Sequence, residues 1–314
     1  MSDRARLRPI RETDLPACVA VFYASMEHLQ ASRSEPSWPR NEVSLQRLLA
    51  RLVASQAPGC WIAEDASGSP VGFVVAVERE RLWFLAFLFV LPGHQSAGLG
   101  RRLLEKAFPD GGPASWLAGG GVLATCAEAT QPIAMRLYAD HGLLPRTPIH
   151  LLIGRPRPGA LAELPAGVEA VAFTSLEASG GESALAAALD ELDLLAVGQR
   201  RALDHRDDRA EGRQGWLYRA VSGDRPLGYG YAAASGRLGP VAAVEGALLE
   251  GIVGHLMGAV VPAGGWQLVV PGPSAALPAF LRAGLHFDGA PELLCSTAPF
   301  LAADRYLLRS LALP

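Results

Sequence analysis

Apolar positions in the first part of the chain follow two periods. Leu15, Cys18, Val19, Phe22 and Met26 recur at i, i+3, i+4, i+7 and i+11, which is one face of an α-helix. Thr13 or Asp14 stands where its cap belongs, and Pro16 falls in its first turn. Residues 31–40 are mostly polar and carry two prolines, so they read as a loop. Asn41 then precedes a second helical face made of Leu45, Leu48, Leu49, Leu52 and Val53. Strands are expected at 7–10, 60–63 and 71–77, with turn chemistry at 65–70. The run Glu78-Arg79-Glu80-Arg81 reads as a charged hairpin tip leading into 82–90, whose unbroken apolar character predicts a strand buried on both faces. A proline exit, a small-residue loop and an amphipathic helix follow, through Phe108. Residues 109–121, rich in Pro and Gly, read as loop; 122–126 as strand; 132–141 as a helix stopped by Gly142; and 148–153 as strand.

Residues 154–167, GRPRPGALAELPAG, have the composition of a linker. Beyond them the element order repeats. Pro226-Leu227-Gly228-Tyr229 echoes Pro70-Val71-Gly72-Phe73, and Phe280-Leu281-Arg282-Ala283-Gly284-Leu285 echoes Tyr138-Ala139-Asp140-His141-Gly142-Leu143. This predicts an internal duplication: a first domain over 1–154, a linker over 155–167 and a second domain over 168–314. The first copy has room for about one strand after Leu143, so a strand from the second copy, 306–311, is expected to complete or abut its sheet.

Composition narrows the function classes. The chain has 314 residues, is half hydrophobic and carries a net charge of −3. That suits two ordinary domains and offers no global field for nucleic acid or an anionic membrane. No apolar run reaches the roughly 18 residues of a membrane span, and the N-terminus has no signal-peptide core. Cys18, Cys60, Cys126 and Cys295 are far apart, without metal-ligand spacing, as expected of reduced thiols in a cytoplasmic protein. Oligomeric state is not readable.

The loop Gln95-Ser96-Ala97-Gly98-Leu99-Gly100 carries few bulky side chains ahead of a helix. Its backbone N–H groups can converge on one space, to which the helix dipole adds about 0.3–2 kcal/mol for an anion. A phosphate or pyrophosphate seat is therefore expected. In the second copy Glu245-Gly246-Ala247-Leu248 replaces this loop, and its carboxylate would repel an anion.

Val90-x-Pro92-x-x-Gln95-x-x-Gly98-x-Gly100, after a hairpin and before a helix, resembles motif A of the GNAT superfamily of N-acetyltransferases. Gln131-x-x-Ala134-x-x-Leu137-Tyr138-x-x-x-Gly142-Leu143 resembles that family's Asn-x-x-Ala-x-x-Leu-Tyr-x-x-x-Gly-Phe segment, with Gln131 in place of the asparagine. The resemblance implies an α/β fold of the α+β mixed-sheet type, two tandem acyl-CoA N-acyltransferase folds with the second degenerate. It implies acetyl-CoA as cosubstrate and no metal. Amides of Gln95, Ser96, Ala97, Gly98, Leu99, Gly100 and Arg101 would hold the pyrophosphate, with Gln131 a further cofactor contact. Leu88, Phe89 and Val90 would pair with the pantetheine arm, and Tyr138 would act as general acid toward the leaving thiolate. Phe280 stands in the second copy where Tyr138 stands in the first.

The implied activity is N-acetyl transfer to a primary amine, on a small molecule or a peptide, by direct attack in a ternary complex. The alternative is a CoA-binding regulatory or scaffolding module with little turnover. The base is the open question: 82–91 holds no carboxylate, so Glu78, Glu80 and Glu128 are the candidates, with the Pro314 carboxylate another. Arg102 and Lys106 share a helix face and read as solvated charge. Phe87 and Phe89 read as core or pocket wall, and Asp204-His205-Arg206-Asp207-Asp208-Arg209 as a charged loop. The acceptor itself, and whether the acyl group is acetyl or larger, stay open.

Overall fold

The computed structural model describes residues 5–95, 98–223 and 225–314. Contacts divide the chain into two compact units, Met1–Thr125 and Cys126–Pro314.

The first unit runs β1 (Arg6–Pro9), α1 (Leu15–Ser32), α2 (Glu42–Ser55), β2 (Cys60–Glu64), β3 (Pro70–Arg79), β4 (Leu82–Val90), α3 (Leu99–Ala107), α4 (Gly112–Ala118) and β5 (Val122–Glu128), within which the division falls. β1, β2, β3 and β4 form an antiparallel series, and β5 joins β4 in parallel. Asn41 caps α2 as expected, its Oδ1 accepting the Ser44 N–H at 3.1 Å. Asp14 does not cap α1. Its carboxylate takes Arg8 at 2.6 and 2.8 Å and the Arg11 N–H at 2.7 Å, clamping β1 to the helix entry. The Arg8 guanidinium holds that carboxyl below the usual carboxylate range. Trp83 Nε1 donates to Ala107 O at 2.8 Å and seats the end of α3 against β4. Residues 109–121 are not all loop. Gly111 and Gly112 turn the chain at positive φ, and α4 follows with Pro113 in its first turn.

The second unit runs α5 (Pro132–Ala139), β6 (Leu144–Gly154), β7 (Val168–Ala172), α6 (Phe173–Ala178), α7 (Glu182–Val197), α8 (Ala202–Ala210), β8 (Gln214–Ala220), β9 (Pro226–Ala232), β10 (Arg237–Ala243), α9 (Leu249–Ala259), β11 (Trp266–Pro271), α10 (Leu277–Ala283), β12 (Leu285–Phe287), β13 (Glu292–Ser296) and β14 (Tyr306–Leu307). β7 to β10 repeat the antiparallel series of β1 to β4, and β11 is parallel to β10 as β5 is to β4. β6, 11 residues long, lies ahead of the linker segment yet belongs to this unit. β11 pairs with one edge of it, and β12 and β13 with the other. The linker segment is itself packed down. Arg157 N–H donates to Ala283 O at 3.0 Å, Ala162 N–H donates to Glu250 Oε1 at 3.0 Å, and Leu161 and Leu164 lie on the core.

Both copies carry a β-bulge at the same place. The β3–β4 register runs Val75↔Phe87 then Ala76↔Leu85, leaving Ala86 as the extra residue. In the repeat the β9–β10 register jumps between Leu238 and Val241. A bulge bends its strand and sharpens its twist, so each central strand turns away from its parallel neighbour. Residues 306–311 do not reach the first sheet. β14 pairs with β10 at Val241↔Leu307 and Ala242↔Tyr306, and Leu308 N–H donates to Val269 O of β11 at 3.0 Å. The C-terminal segment thus fills the gap between β10 and β11, and Pro314 lies in the second unit.

The acidic-basic run 204–209 is not a charged loop. It lies in α8, with Asp204, His205 and Asp208 buried. Periodicity could not show this, because the buried face is polar. Asp208 receives Arg213 at 3.2 Å and Arg309 at 2.5 Å, and Arg201 donates to the Tyr306 hydroxyl. His205 lies between Asp193 and the Tyr231 hydroxyl, at 2.9 Å from each. Arg309 and Tyr306 flank or form β14, so the α8 network pins the segment that fills the gap. Removing one partner of a buried ion pair costs about 3–5 kcal/mol. Asp208→Ala is expected to lower unfolding free energy by about that much and to speed amide exchange at 306–308. A loss below about 1 kcal/mol, read by urea unfolding, would contradict the clamp.

Candidate functional site

The first unit brings a strand edge and a helix start together. β4 pairs with β5 from Leu82↔Val122 to Leu85↔Thr125, and the Thr125 hydroxyl donates to Leu85 O at 3.0 Å at the last rung. Beyond it, no strand of the described residues pairs with 86–90 on the β5 side. On the other side the ladder to β3 continues through Val74↔Leu88, Phe73↔Phe89 and Gly72↔Val90. Leu88 and Phe89 are half-buried, whereas Leu82 through Leu85 are buried. The expectation of a strand covered on both faces therefore holds for its first half only. Backbone groups left without a ladder need another partner, so this edge suits an extended chain with donors and acceptors of its own.

The strand ends in a short 3-10 turn, Pro92–His94. Val90 O accepts the Gln95 side-chain amide at 2.9 Å and the Ser25 hydroxyl at 3.3 Å, which fixes the strand exit. Gln95 N–H is committed to Pro92 O at 3.3 Å, so Gln95 shapes the loop more than it offers a free amide. Ser96 and Ala97 lie outside the described residues. Gly98 precedes α3 at φ 74°, a left-handed conformation that suits glycine, and supplies no side-chain cap. The first intrahelical bond runs from Arg102 N–H to Gly98 O at 3.1 Å. The N–H groups of Leu99 and Gly100 precede it in the first turn of α3. They lie at the positive end of the helix dipole, where the loop's composition leads one to expect an anion.

The neighbouring cations divide. Arg101 is exposed. Arg102 Nη2 donates to Ala5 O at 2.8 Å, and Lys106 lies over the Trp61 ring, 4.9 Å from its centroid. Phe87 and Phe89 pack with Phe73 and with Phe22 of α1, the Phe22–Phe89 centroids 4.8 Å apart. They form the wall beneath the open edge.

Glu78 and Glu80 lie on the hairpin side of that edge, toward the end of β4 that is paired with β5. Glu78 lies on β3 opposite Trp83, and Glu80 occupies the hairpin turn at φ 40°. At ~3.3 Å per residue both stand roughly 20 Å along β4 from Val90. The hairpin tip is shorter than expected because β3 runs to Arg79.

In the second unit Tyr138 sits on α5, 7% exposed. Burial, with the Cys295 thiol and the Glu292 carboxylate adding, pushes its phenol well above the usual value. Gln131 begins α5 without using its side chain as a cap. Glu128 ends β5, and the next residue, Ala129, donates its N–H to Pro291 O at 3.3 Å, which brings Glu292 of β13 alongside. Sequence reasoning missed Glu292, because nothing local marks a pairing across more than 160 residues. Burial pushes the Cys18 and Cys60 thiols up to about 12 and Cys295 up to about 11, so none is a ready nucleophile. Among the described residues no group of three or more His, Cys, Asp or Glu could hold a metal ion. No helix of the described residues is long and apolar enough to cross a membrane.

The repeat lacks these features. Its β10–β11 gap is filled by β14, and a Cβ on Gly246 would meet Asp304 O at 2.5 Å. Phe280, in the place of Tyr138, is fully buried in the apolar core.

Residues 23–143 match the model of the Acetyltransferase (GNAT) family. That match lies within the first half of the chain. The whole chain takes a tandem GNAT fold, as solved structures show. It superposes on a protein of Pyrococcus horikoshii provisionally described as an acetyltransferase, with TM-score 0.72 and 16% identity, over 100% of this chain and 97% of that one. A GCN5-related N-acetyltransferase from Sphaerobacter thermophilus gives TM-score 0.63 and 18% identity, over 96% and 98% of the two chains. A tandem GNAT protein from the clavulanic acid biosynthesis pathway gives 0.52 and 14%, over 94% and 99%. At these identities the likeness concerns fold. The GNAT signature lies in the first copy, where the edge is open, and stops short of the copy whose gap is filled.

Glu78 offers a check on the geometry. Burial, with Asp110 adding, holds its carboxyl above the ordinary value. The folded state then binds the proton more tightly than the unfolded chain, so this group's contribution to stability falls as pH rises from about 4 upward. Glu78→Gln should remove that slope in urea unfolding without changing whatever the loop binds. A change in ligand binding would contradict its placement at the far end of β4.

Proposed function

We propose that the first copy is an acyl-CoA-dependent N-acyltransferase that uses acetyl-CoA to acetylate a primary amine. One observation carries this reading. The edge at 86–90 has no strand partner on the β5 side and leads to the start of α3, while the repeat fills the matching gap with a strand of its own. A gap that accepts a β-strand in one copy has the shape and the hydrogen-bonding pattern for an extended, amide-bearing arm in the other. Pantetheine is such an arm, and the pyrophosphate beyond it suits the N–H groups of Leu99 and Gly100, with Gln131 a further contact.

Bound acetyl-CoA supplies an activated thioester, and the amine attacks its carbonyl directly. A backbone N–H of Leu88, Phe89 or Val90 serves as donor to the developing oxyanion, worth about 3 kcal/mol when well aimed. Tyr138 donates toward the departing sulfur. Its phenol is buried and holds its proton tightly, so it acts as a hydrogen-bond donor that yields the proton only as the C–S bond breaks. Glu128 and Glu292 are the carboxylates that can take the amine's proton, directly or through water. Glu78 and Glu80 are set aside because of their distance from the strand exit.

The high pKa of Tyr138 also favours a second reading, a CoA-binding module with little turnover. Calorimetry and thiol release separate the two. Acetyl-CoA should bind at one site per chain, and Gly98→Glu should abolish it. Tyr138→Phe should lower kcat by roughly 10²-fold or more with binding unchanged. Binding without thiol release on any amine would favour the module, and two sites per chain would contradict the filled gap in the repeat.

A further inference from the structure

The ladder between β3 and β4 decides which backbone groups of the first unit's edge face the unpaired side. Leu91 N–H donates to Val71 O at 2.9 Å. Gly72↔Val90, Phe73↔Phe89, Val74↔Leu88 and Val75↔Phe87 continue the same register. Hydrogen-bonded and non-hydrogen-bonded pairs alternate along an antiparallel ladder. Phe87 and Phe89 therefore spend their N–H and C=O groups on β3, while Leu88 and Val90 turn theirs toward the β5 side. This narrows the donors of the edge to Leu88 and Val90.

Side chains close both ends of that row. At the inner end the Thr125 hydroxyl donates to Leu85 O at 3.0 Å. At the exit Val90 O accepts the Gln95 side-chain amide at 2.9 Å and the Ser25 hydroxyl at 3.3 Å. A carbonyl oxygen has two lone pairs, so Val90 O keeps none for a ligand. Ser25 is buried on α1, and Phe22, three residues earlier on the same helix face, packs on Phe89 with ring centroids 4.8 Å apart. What Leu88 and Val90 still offer is, in chain order, Leu88 N–H, Leu88 O and Val90 N–H: a donor, an acceptor and a donor.

The reactive end of an acylated pantetheine arm has the complementary order of thioester carbonyl, amide N–H and amide carbonyl. Its two carbonyl carbons are separated by one bond fewer than those of alternate residues in an extended peptide, so the spacings match. With the thioester carbonyl on Leu88 N–H, the amide falls on Leu88 O and Val90 N–H. An arm slipped by two residues would place its thioester on Val90 N–H and its amide N–H on Val90 O, an oxygen already taken. The flexible chain between the amide and the pyrophosphate permits such a slip, and the capped carbonyl opposes it.

We propose that Ser25 is a positioning residue: with Gln95 it forms a stop that sets the register of the arm and directs the thioester carbonyl to Leu88 N–H. This rests on the coenzyme reading of the edge. Ser25 touches neither thioester nor amine and acts through Val90 O.

The test needs no acceptor. Calorimetry on the full chain compares acetyl-CoA with CoA, with the Leu88 amide intact or replaced by an ester through the α-hydroxy analogue of leucine. The ester removes the Leu88 N–H and weakens the Phe87 carbonyl, a cost that both ligands share. In the wild type it should weaken acetyl-CoA roughly 3–10-fold more than CoA, the worth of one hydrogen bond. Ser25→Ala frees a lone pair of Val90 O and lets the arm slip, so there the difference should shrink to about 2-fold or less, as coupled groups do in a double-mutant cycle. Ser25→Thr, which keeps the hydroxyl, should restore the wild-type difference. No difference in the wild type, or the same difference in Ser25→Ala, would overturn the proposal; a purely structural role in seating α1 would weaken both ligands alike and give the latter. Acetyl-CoA that binds but releases no thiol with any amine would refute the transferase reading alone, and the comparison would still read the stop. Failure of acetyl-CoA to bind the wild type would overturn both.

Discussion

Two parallel strands that diverge leave backbone donors and acceptors without partners, and the structure is arranged around that obligation. A buried polar group left unpaired costs about 1–3 kcal/mol, so a gap several residues long must be filled by chain, water or ligand. Both copies bend the central strand at a bulge and open such a gap. The second answers it internally, with β14 pairing to β10 and bridging to β11. The first leaves residues 86–90 unpaired on that side, next to the helix start at Gly98. The duplication therefore contains its own control: one fold twice, with a strand in the slot in one case and no strand pairing there in the other.

Filling the slot has consequences elsewhere in the second unit. A two-residue strand is a weak element alone, and β14 is held by charge instead. Asp208 and Glu211 receive Arg309, and Arg201 reaches Tyr306. Apart from the exposed Glu211 these groups are almost wholly buried, an arrangement stable only when each charge has its partner. The second unit also carries pieces of the first copy. α5 with Tyr138 and the long β6 fall within it, and β6 is paired along both edges by later strands. The unit without a phosphate loop thus carries the phenol helix.

Much of the first unit was legible because its signals are local. The helical face from Leu15, the Asn41 cap, the hairpin strands and the small-residue loop each depend on neighbours a few residues away. The loop reading erred in one respect: Gln95 spends its N–H and its side chain on the strand exit. What was not legible is non-local or polar. No pattern in 144–154 announces partners at 266–271 and 292–296. The run at 204–209 looked solvated because burial of charge depends on arginines that arrive from 201, 213 and 309. Glu78 and Glu80 were candidate bases by proximity in sequence, and the register places Glu78 opposite Trp83, toward the closed end of β4.

The central claim is that one copy leaves open the slot that the other fills, and amide hydrogen exchange with and without acetyl-CoA tests it most directly. The account predicts that the coenzyme slows exchange at 86–90 and at 99–101, while 237–243 and 306–308 are already protected and do not change. Protection gained in β10 and β14, or none at 86–90, would contradict it.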